Sequence, residues 1–600
     1  MVKALKRFQR DKKWSNSTLI RILLEKFNNW KAEFQWPTIN QWRQFFSISN
    51  RRERHWLSVF LILALIGFFI LSYRLYLDAT VVRPDRGGSI SIGIVGSPRF
   101  LNPVLNQIND ADKDLSALIF SGLMKYDPQG NLINDLAENY SVGDEGKTYE
   151  ITLKENIKWQ DGQPLTADDV LFTVHTIQNP DYRSPIRGLW QGVETEKVDD
   201  RVIRFHLKNI YVSFLNNLTF GVLPKHLWSN IAPSQFALSE LNLKPVGSGP
   251  YQFSKLQKDK NGTVKSIELK AFNGYFDGEA FISALTFYFY STESDAFTAY
   301  KKDEADVFGF VSAKNFVDLK NKTNNNINTF PINLPRYFAV FFNQSQNKFL
   351  ADKTVRQALN LATDKKTIID TIFGGYGEIA DSPLIPGMTG YSDQLKSPDF
   401  SPDQAKELLA EAGWKDVDDD GILEIGKTNE KLQINLTTID WPELSQVAEI
   451  IKDQWGKIGV GVNLEIIETS KIQNDIIKPR QYQALLFGEV LGEEPDLFHF
   501  WHSSQKAESG LNLALYSNSE ADKLLSSAME DLNKDSRAQT NQKIAGLIVN
   551  DLPAVFLFSP DYLMIAKKDI MGINLQNLDA PASRFSQLNR WYLETHRVLK

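Results

Sequence analysis

The chain has 600 residues, of which 42% are hydrophobic and 12% aromatic. That is enough apolar surface for substantial cores, and with 23% charged residues keeping the exterior wet it excludes a disordered chain. There is no cysteine, so disulfides and thiolate chemistry are excluded outright, and no fixed-period repeat argues for a solenoid. Residues 1–55 carry 13 Lys/Arg against 4 Asp/Glu, a local charge of +9, which leaves −15 on the remainder of a chain whose net charge is −6.

In chain order, the first patterned segment is residues 17–34. Leu19, Leu23, Phe27, Trp30 and Phe34 recur there at helical spacing among Arg21, Glu25, Lys26 and Lys31, until Trp36-Pro37 breaks the pattern. This is a candidate amphipathic helix lying on an inner leaflet, with a helix packed on a partner or a partly ordered tail as the alternatives. Residues 57–73 then run for 17 positions without a formal charge, and the predicted transmembrane helix spans 56–77 if Arg74 snorkels to the interface. Arg51, Arg52 and Arg54 directly precede it, so the positive-inside rule places residues 1–55 in the cytoplasm and everything after Asp78 outside. A cleaved signal peptide fits less well, because 55 residues precede the apolar run and Leu77-Asp78-Ala79 is a poor cleavage site. The adjacent span also argues against nucleic acid as the partner of the basic segment. Residues 78–87 read as a short tether, with a reach of at most about 35 Å at roughly 3.5 Å per residue.

Beyond residue 88, strands and helices alternate, which predicts an α/β body. Extended segments are predicted at 89–95, at 148–153 or 149–156, and at 267–271, 284–290 and 432–438, and helices at 112–126, 355–373 and 402–412. The stretch WQDGQPLTADDVLFTV (159–174) reads as a turn at Asp161-Gly162 followed by a helix from Ala167, with Thr166 and Asp169 spaced to satisfy its first backbone donors. A structural role is the expectation for Asp161, Asp168 and Asp169.

Catalytic signatures fail one by one. Residues 143–148 (GDEGKT) resemble part of a phosphate-binding loop, but Ser141 stands where its first glycine belongs, and neither GxSxG nor HExxH occurs. His499 and His502 have a spacing that can place two imidazoles on one helical face, yet Phe498, Phe500 and Trp501 make a packed aromatic segment the expectation. Asp416, Asp418 and Asp420 occupy the first, third and fifth positions of a possible calcium loop. Its twelfth position is Lys427 and Glu424 comes too early, so a solvated acidic loop is expected.

The 159–174 block resembles the signature region of family 5 extracellular solute-binding proteins, the peptide, nickel and related binders of ABC importers. Further blocks follow in the family's order: 101–140, PVGSGPYQF from Pro245, NGYFDG from Asn273, 352–377, SPDQAKELLAEAGW from Ser401 and EPDLFHFWHSS from Glu494. The resemblance covers roughly residues 88–600. It implies a two-lobed class II periplasmic-binding fold with an inserted subdomain, here preceded by one transmembrane helix. Lobe I would comprise 88–130, 244–334 and 551–600, its insertion 131–243, and lobe II 335–550, with crossings in 335–343 and around Asp551. The absent cysteine leaves no residue for a lipid anchor, so the transmembrane helix would replace it.

The implied function is capture of an oligopeptide or peptide-like solute by cleft closure and delivery to ABC permease and ATPase subunits. No catalysis, cofactor or nucleic acid is implied, and a monomer is expected. A nickel complex or other small solute, or a cell-surface interaction or sensory role, are the alternatives. By resemblance, Asn109 and Asp110 belong to a loop near the peptide, Trp190 to the insertion's wall, and Phe487, Gly488 and Glu489 to a backbone-binding strand. Leu491 stands where oligopeptide binders carry an Asp that pairs with the peptide amine. Asp110, Glu489 or Glu493 would have to substitute.

Overall fold

The structure, a computed structural model, describes residues 38–322, 326–425, 430–492, 494–508, 510–575 and 578–600. The chain divides into two compact units, residues 1–83 with 596–600 and residues 84–595. The predicted helix at 17–34 and residues Lys427 and Glu493 lie outside the described residues.

In the first unit, Ile39–Ile48 is a helix opened by a capping box between Thr38 and Gln41. The 29-residue helix Arg51–Ala79 follows, capped by Asn50 and Glu53, with no buried residue. At about 1.5 Å per residue it is roughly 43 Å long, more than the ~30 Å hydrocarbon core of a bilayer. It is long and apolar enough to cross a membrane. The predicted span 56–77 lies wholly inside it. Residues 78–87, expected as a plain tether, are more ordered than that: the helix runs to Ala79, and strand Thr80–Asp85 then pairs with the C-terminal strand Glu594–Leu599. Lys600 N–H donates to the Ala79 carbonyl at 3.0 Å, so the helix end and the chain end are joined.

The second unit is built on two sheets. The first has seven strands, in the order 327–332, 562–567, 307–308, 89–95, 284–290, 264–271, 251–258. The second has six, in the order 377–379, 554–560, 336–342, 484–490, 433–439, 461–467. Each has its own core, the second around Phe341, Trp455 and Trp501. The insertion forms a four-stranded antiparallel sheet of 137–143, 148–153, 202–207 and 193–197, whose apolar face merges with the first core.

Two crossings join the sheets. One is Asn333 to Pro335. The other falls at Asp561, between strands Ala554–Pro560 and Tyr562–Lys567. Residues 551–560, expected with lobe I, therefore belong to the second sheet: Ala554–Pro560 is buried along its whole length and pairs with Arg336–Phe342. Two predicted helices also change. The helix expected at 112–126 is Asp110–Ile119, after which Met124–Tyr126 turns into a strand paired with Leu132–Asn134. The one expected at 355–373 is split into Lys353–Leu361 and Lys365–Ile372, because Asp364 caps a new start by accepting from Thr367 N–H at 2.9 Å.

The sequence blocks turn out to be structural devices. Thr166 and Asp169 make the predicted capping box, Thr166 N–H donating to Asp169 Oδ2 at 2.9 Å, and Asp169 Oδ1 also accepts from Lys225 N–H at 2.8 Å. Gly247 and Gly249 let a loop lie against the end of the helix Asp110–Ile119. A Cβ on Gly247 would stand 1.9 Å from the Ile119 carbonyl oxygen, and Gly249 N–H donates to that oxygen at 2.8 Å. Arg356 donates to the carbonyls of Leu350, Ala351, Asp551 and Leu552, tying its helix to the strand that leads back to the first sheet.

Candidate functional site

The junction of the two sheets is where polar side chains from both sides meet. Asn109 closes the loop before Asp110–Ile119 and caps that helix. Its Oδ1 accepts from Asp112 N–H at 2.8 Å while its amide donates to Asp112 Oδ2 at 2.7 Å. Asp110 is the first helical residue and is exposed, so its carboxylate sits at the positive end of the helix dipole. Arg336 opens the strand just past the first crossing, its guanidinium 5.9 Å from the Phe338 ring. Burial pulls its pKa down to about 10, opposed by the charges of Asp110, Tyr562 and Asp561. At the second crossing the Asp561 carboxyl is raised by burial and by Glu378, and lowered by Arg336. Residues from helix start, first crossing and second crossing are thus electrostatically coupled. Beside them, Phe338 stacks on Phe558 at 5.3 Å and approaches half-buried Trp441 at 6.0 Å. Arg336, Trp441 and Asp561 escaped the sequence reading. The signal for Arg336 was its place directly after Pro335, a predicted crossing residue.

The other candidates separate. Phe487, Gly488 and Glu489 lie on strand Ala484–Val490, paired with Ala339, Phe338 and Tyr337 respectively. Gly488 leaves room for the Phe338 ring, since a Cβ there would meet it at 2.7 Å. Phe487 packs on the second core. Glu489 is 3% exposed, its Oε2 accepts from the Tyr337 hydroxyl, and its Oε1 finds no partner among the described residues. Burial pushes its pKa up to about 8, which favours the uncharged acid at neutral pH. Leu491 is buried, and its N–H donates to the Pro335 carbonyl at 3.0 Å, pinning the strand end to the first crossing. Trp190, expected in a cleft wall, is 1% exposed and enclosed by Phe205, Phe214 and Phe220, because a ring of that size fills the insertion's core. Of the three acids proposed to replace the missing Asp, Asp110 is the exposed one at the junction, Glu489 is buried, and Glu493 lies outside the described residues.

The metal-like motifs resolve differently. His499 Nδ1 is 2.8 Å from Asp496 Oδ2, whereas His502 Nδ1 is 2.8 Å from Ser504 Oγ and its ring stacks on Phe498 at 4.3 Å, so the two imidazoles do not share a ligand point. Asp416, Asp418 and Asp420 do converge, all exposed, but the Lys431 ammonium is drawn into the group, 2.9 Å from Asp418 Oδ2 and bonded to Asp420. Residues 143–148 form the turn of a β-hairpin, with Asp144 and Glu145 at positive φ.

Comparison with known proteins gives one picture. The family model described as bacterial extracellular solute-binding proteins, family 5 Middle, matches residues 131–510. The oligopeptide-binding protein AppA of Bacillus subtilis is 30% identical over 524 residues, 85% of this chain and 92% of that protein. The structure of AppA with a nonapeptide matches with a TM-score of 0.71 at 29% identity, covering 85% of this chain and 100% of that one. NikZ from Campylobacter jejuni in complex with Ni(L-His) matches with a TM-score of 0.71 at 25% identity, over 84% and 99% of the two chains.

Proposed function

Because the chain belongs to family 5 of the bacterial extracellular solute-binding proteins, substrate-binding components of transport rather than enzymes, we propose that it is the membrane-anchored receptor of an ABC importer for oligopeptides or peptide-like solutes. The observation that carries the ligand class is the 30% identity to an oligopeptide-binding protein across most of both chains. The geometry supports it: two sheets joined by two crossing segments can close on a solute, and the charged, aromatic junction offers groups for a peptide's backbone and ends. Asp110 receives the ligand's ammonium in place of the residue that Leu491 supplants, and Arg336 meets its anionic groups.

The helix Arg51–Ala79 anchors the receptor, with the basic segment in the cytoplasm and residues 84–595 outside. The receptor works as a monomer and hands its solute to a permease driven by ATPase subunits. A nickel complex is the second reading, favoured by the likeness to NikZ.

The deciding experiment is mass spectrometry of solutes released from the full chain purified in nanodiscs, followed by calorimetric titration of each into stripped protein. Peptides that rebind establish the proposal. Nickel with an organic chelator transfers it to the second reading, and a protein that binds neither refutes both.

A further inference from the structure

We propose that Tyr211, on the inserted subdomain, is a closure latch: its hydroxyl, donated to Asp496 of the second lobe, holds the two lobes together and so sets how long a solute is retained. The purpose of the latch rests on the receptor reading above, but its geometry does not.

Tyr211 lies just past strand Val202–Leu207, and its hydroxyl donates to Asp496 Oδ2 at 3.0 Å across 285 residues of sequence. The same oxygen is 2.8 Å from His499 Nδ1, and Asp496 caps the helix Leu497–Trp501. That helix is fixed by Trp501, fully buried 6.3 Å from Phe341 and 5.8 Å from Phe556, both on the second sheet. The acceptor is therefore rigid and already aimed before the tyrosine arrives. Burial drives the Tyr211 hydroxyl far above its ordinary pKa, which keeps it a proton donor.

Beside this bond the Tyr211 and His499 rings meet edge-on at 6.5 Å. Val212 N–H donates to the Met529 carbonyl at 3.2 Å, and Gly146 faces Leu532, which a Cβ would approach to 3.1 Å. A cavity of about 30 Å³ remains between them, lined in part by Tyr211, Asp496, Arg537 and Asn541. A contact made of one charge-assisted hydrogen bond, one backbone bond, an edge-on ring pair, the Gly146–Leu532 approach and a partly polar gap can be broken and remade, unlike a packed core. Both polar partners regain water when it opens. Neither Tyr211 nor Asp496 lies on a crossing segment, so the contact can part without disturbing the connections between the sheets.

The chain contains no cysteine, so introduced thiols report on this contact alone. Val212→Cys with Met529→Cys in the full chain should cross-link in mild oxidant, at a rate set by the closed population. Adding Tyr211→Phe removes one oxygen atom and should lower that rate roughly ten- to a hundredfold, the worth of a hydrogen bond to a charged acceptor, while leaving the melting temperature of the uncross-linked protein unchanged. Spin labels at Glu194→Cys and Glu449→Cys, both exposed, should show the same shift towards longer separations in Tyr211→Phe. An unchanged cross-linking rate and unchanged distances in Tyr211→Phe, in a protein that otherwise opens and closes, overturn the latch alone. A folded Cys pair that never cross-links overturns the contact itself. One fixed separation with and without solute overturns both the latch and the closure mechanism of the receptor.

Discussion

Glu489→Gln should stabilise the second lobe, and by an amount that grows with pH. The parent carboxyl is 3% exposed, its only hydrogen-bond partner among the described residues is the Tyr337 hydroxyl, and burial pushes its pKa from 4.5 up to about 8. A raised pKa means that between pH 4.5 and 8 the native state holds a proton that the unfolded chain has released. Stability is thus greatest below pH 4.5, falls as pH rises towards 8, and is flat above it. The gap of about 3.5 pH units, at about 1.4 kcal/mol each, bounds the total loss at roughly 5 kcal/mol, of which about 3 kcal/mol has gone by pH 7. Glutamine keeps an oxygen for Tyr337 and cannot ionise, so it escapes this slope.

The assay is urea unfolding of parent and variant at pH 5, 6.5 and 8, followed by tryptophan fluorescence. Trp441, Trp455 and Trp501 all belong to or pack on the second core and report on that lobe. Taking the difference between the two proteins cancels every other titrating group. The variant should gain roughly 3 kcal/mol on the parent between pH 5 and 8. Parallel stability profiles would show that Glu489 is hydrated or paired with a cation, and the argument from burial would fail.

Asp114→Asn should cost about 3–5 kcal/mol in thermal or urea unfolding, because it strands Arg584, whose Nη1 donates to Asp114 Oδ1 at 2.8 Å with both side chains buried; a loss under 1 kcal/mol counts against a desolvated pair. Trp190→Ala should destabilise the insertion by a similar 3–5 kcal/mol, yet leave the solute Kd of the folded protein within about twofold, the reverse of what a cleft-wall residue would do in calorimetry. Asp110→Asn should weaken binding of peptides with a free amine by roughly tenfold and leave N-acetylated peptides unaffected; equal effects on both exclude it as the amine acceptor. In intact cells an impermeant maleimide should label Glu194→Cys and leave a cysteine placed at Ser15 unlabelled, and the opposite pattern reverses the proposed orientation.

What was legible in the sequence was whatever local chemistry fixes. Period-two alternation located the strand Thr148–Leu153, and the spacing of Thr166 and Asp169 located a helix start, because both features are set by residues within one turn or one pleat of each other. The split at Asp364 was also written locally, as a cap three residues before Thr367, but the apolar periodicity on either side masked it. The lobe membership of Ala554–Pro560 was not local at all. AVFLF, ahead of Ser559-Pro560, is an apolar run that a buried position in either sheet accepts, and only its pairing with Arg336–Phe342 decides.

The candidate site was harder for a related reason. Along Ala484–Val490 residues are buried on both faces of the strand, Leu485 with Glu489 on one and Ala484 with Leu486 on the other, so alternation could not tell whether Glu489 faces a core or a ligand. In this chain the blocks that carried the resemblance hold caps, close glycine contacts and carbonyl clamps, which position elements of the fold. The charged residues of the junction instead end or begin elements: Asp110 at a helix start, Arg336 at a strand start, Asp561 between two strands. Leu491, buried and bonded through its backbone to Pro335, shows the scaffold side of this: its N–H fixes the strand end to the first crossing, a bond that does not depend on the side chain it carries.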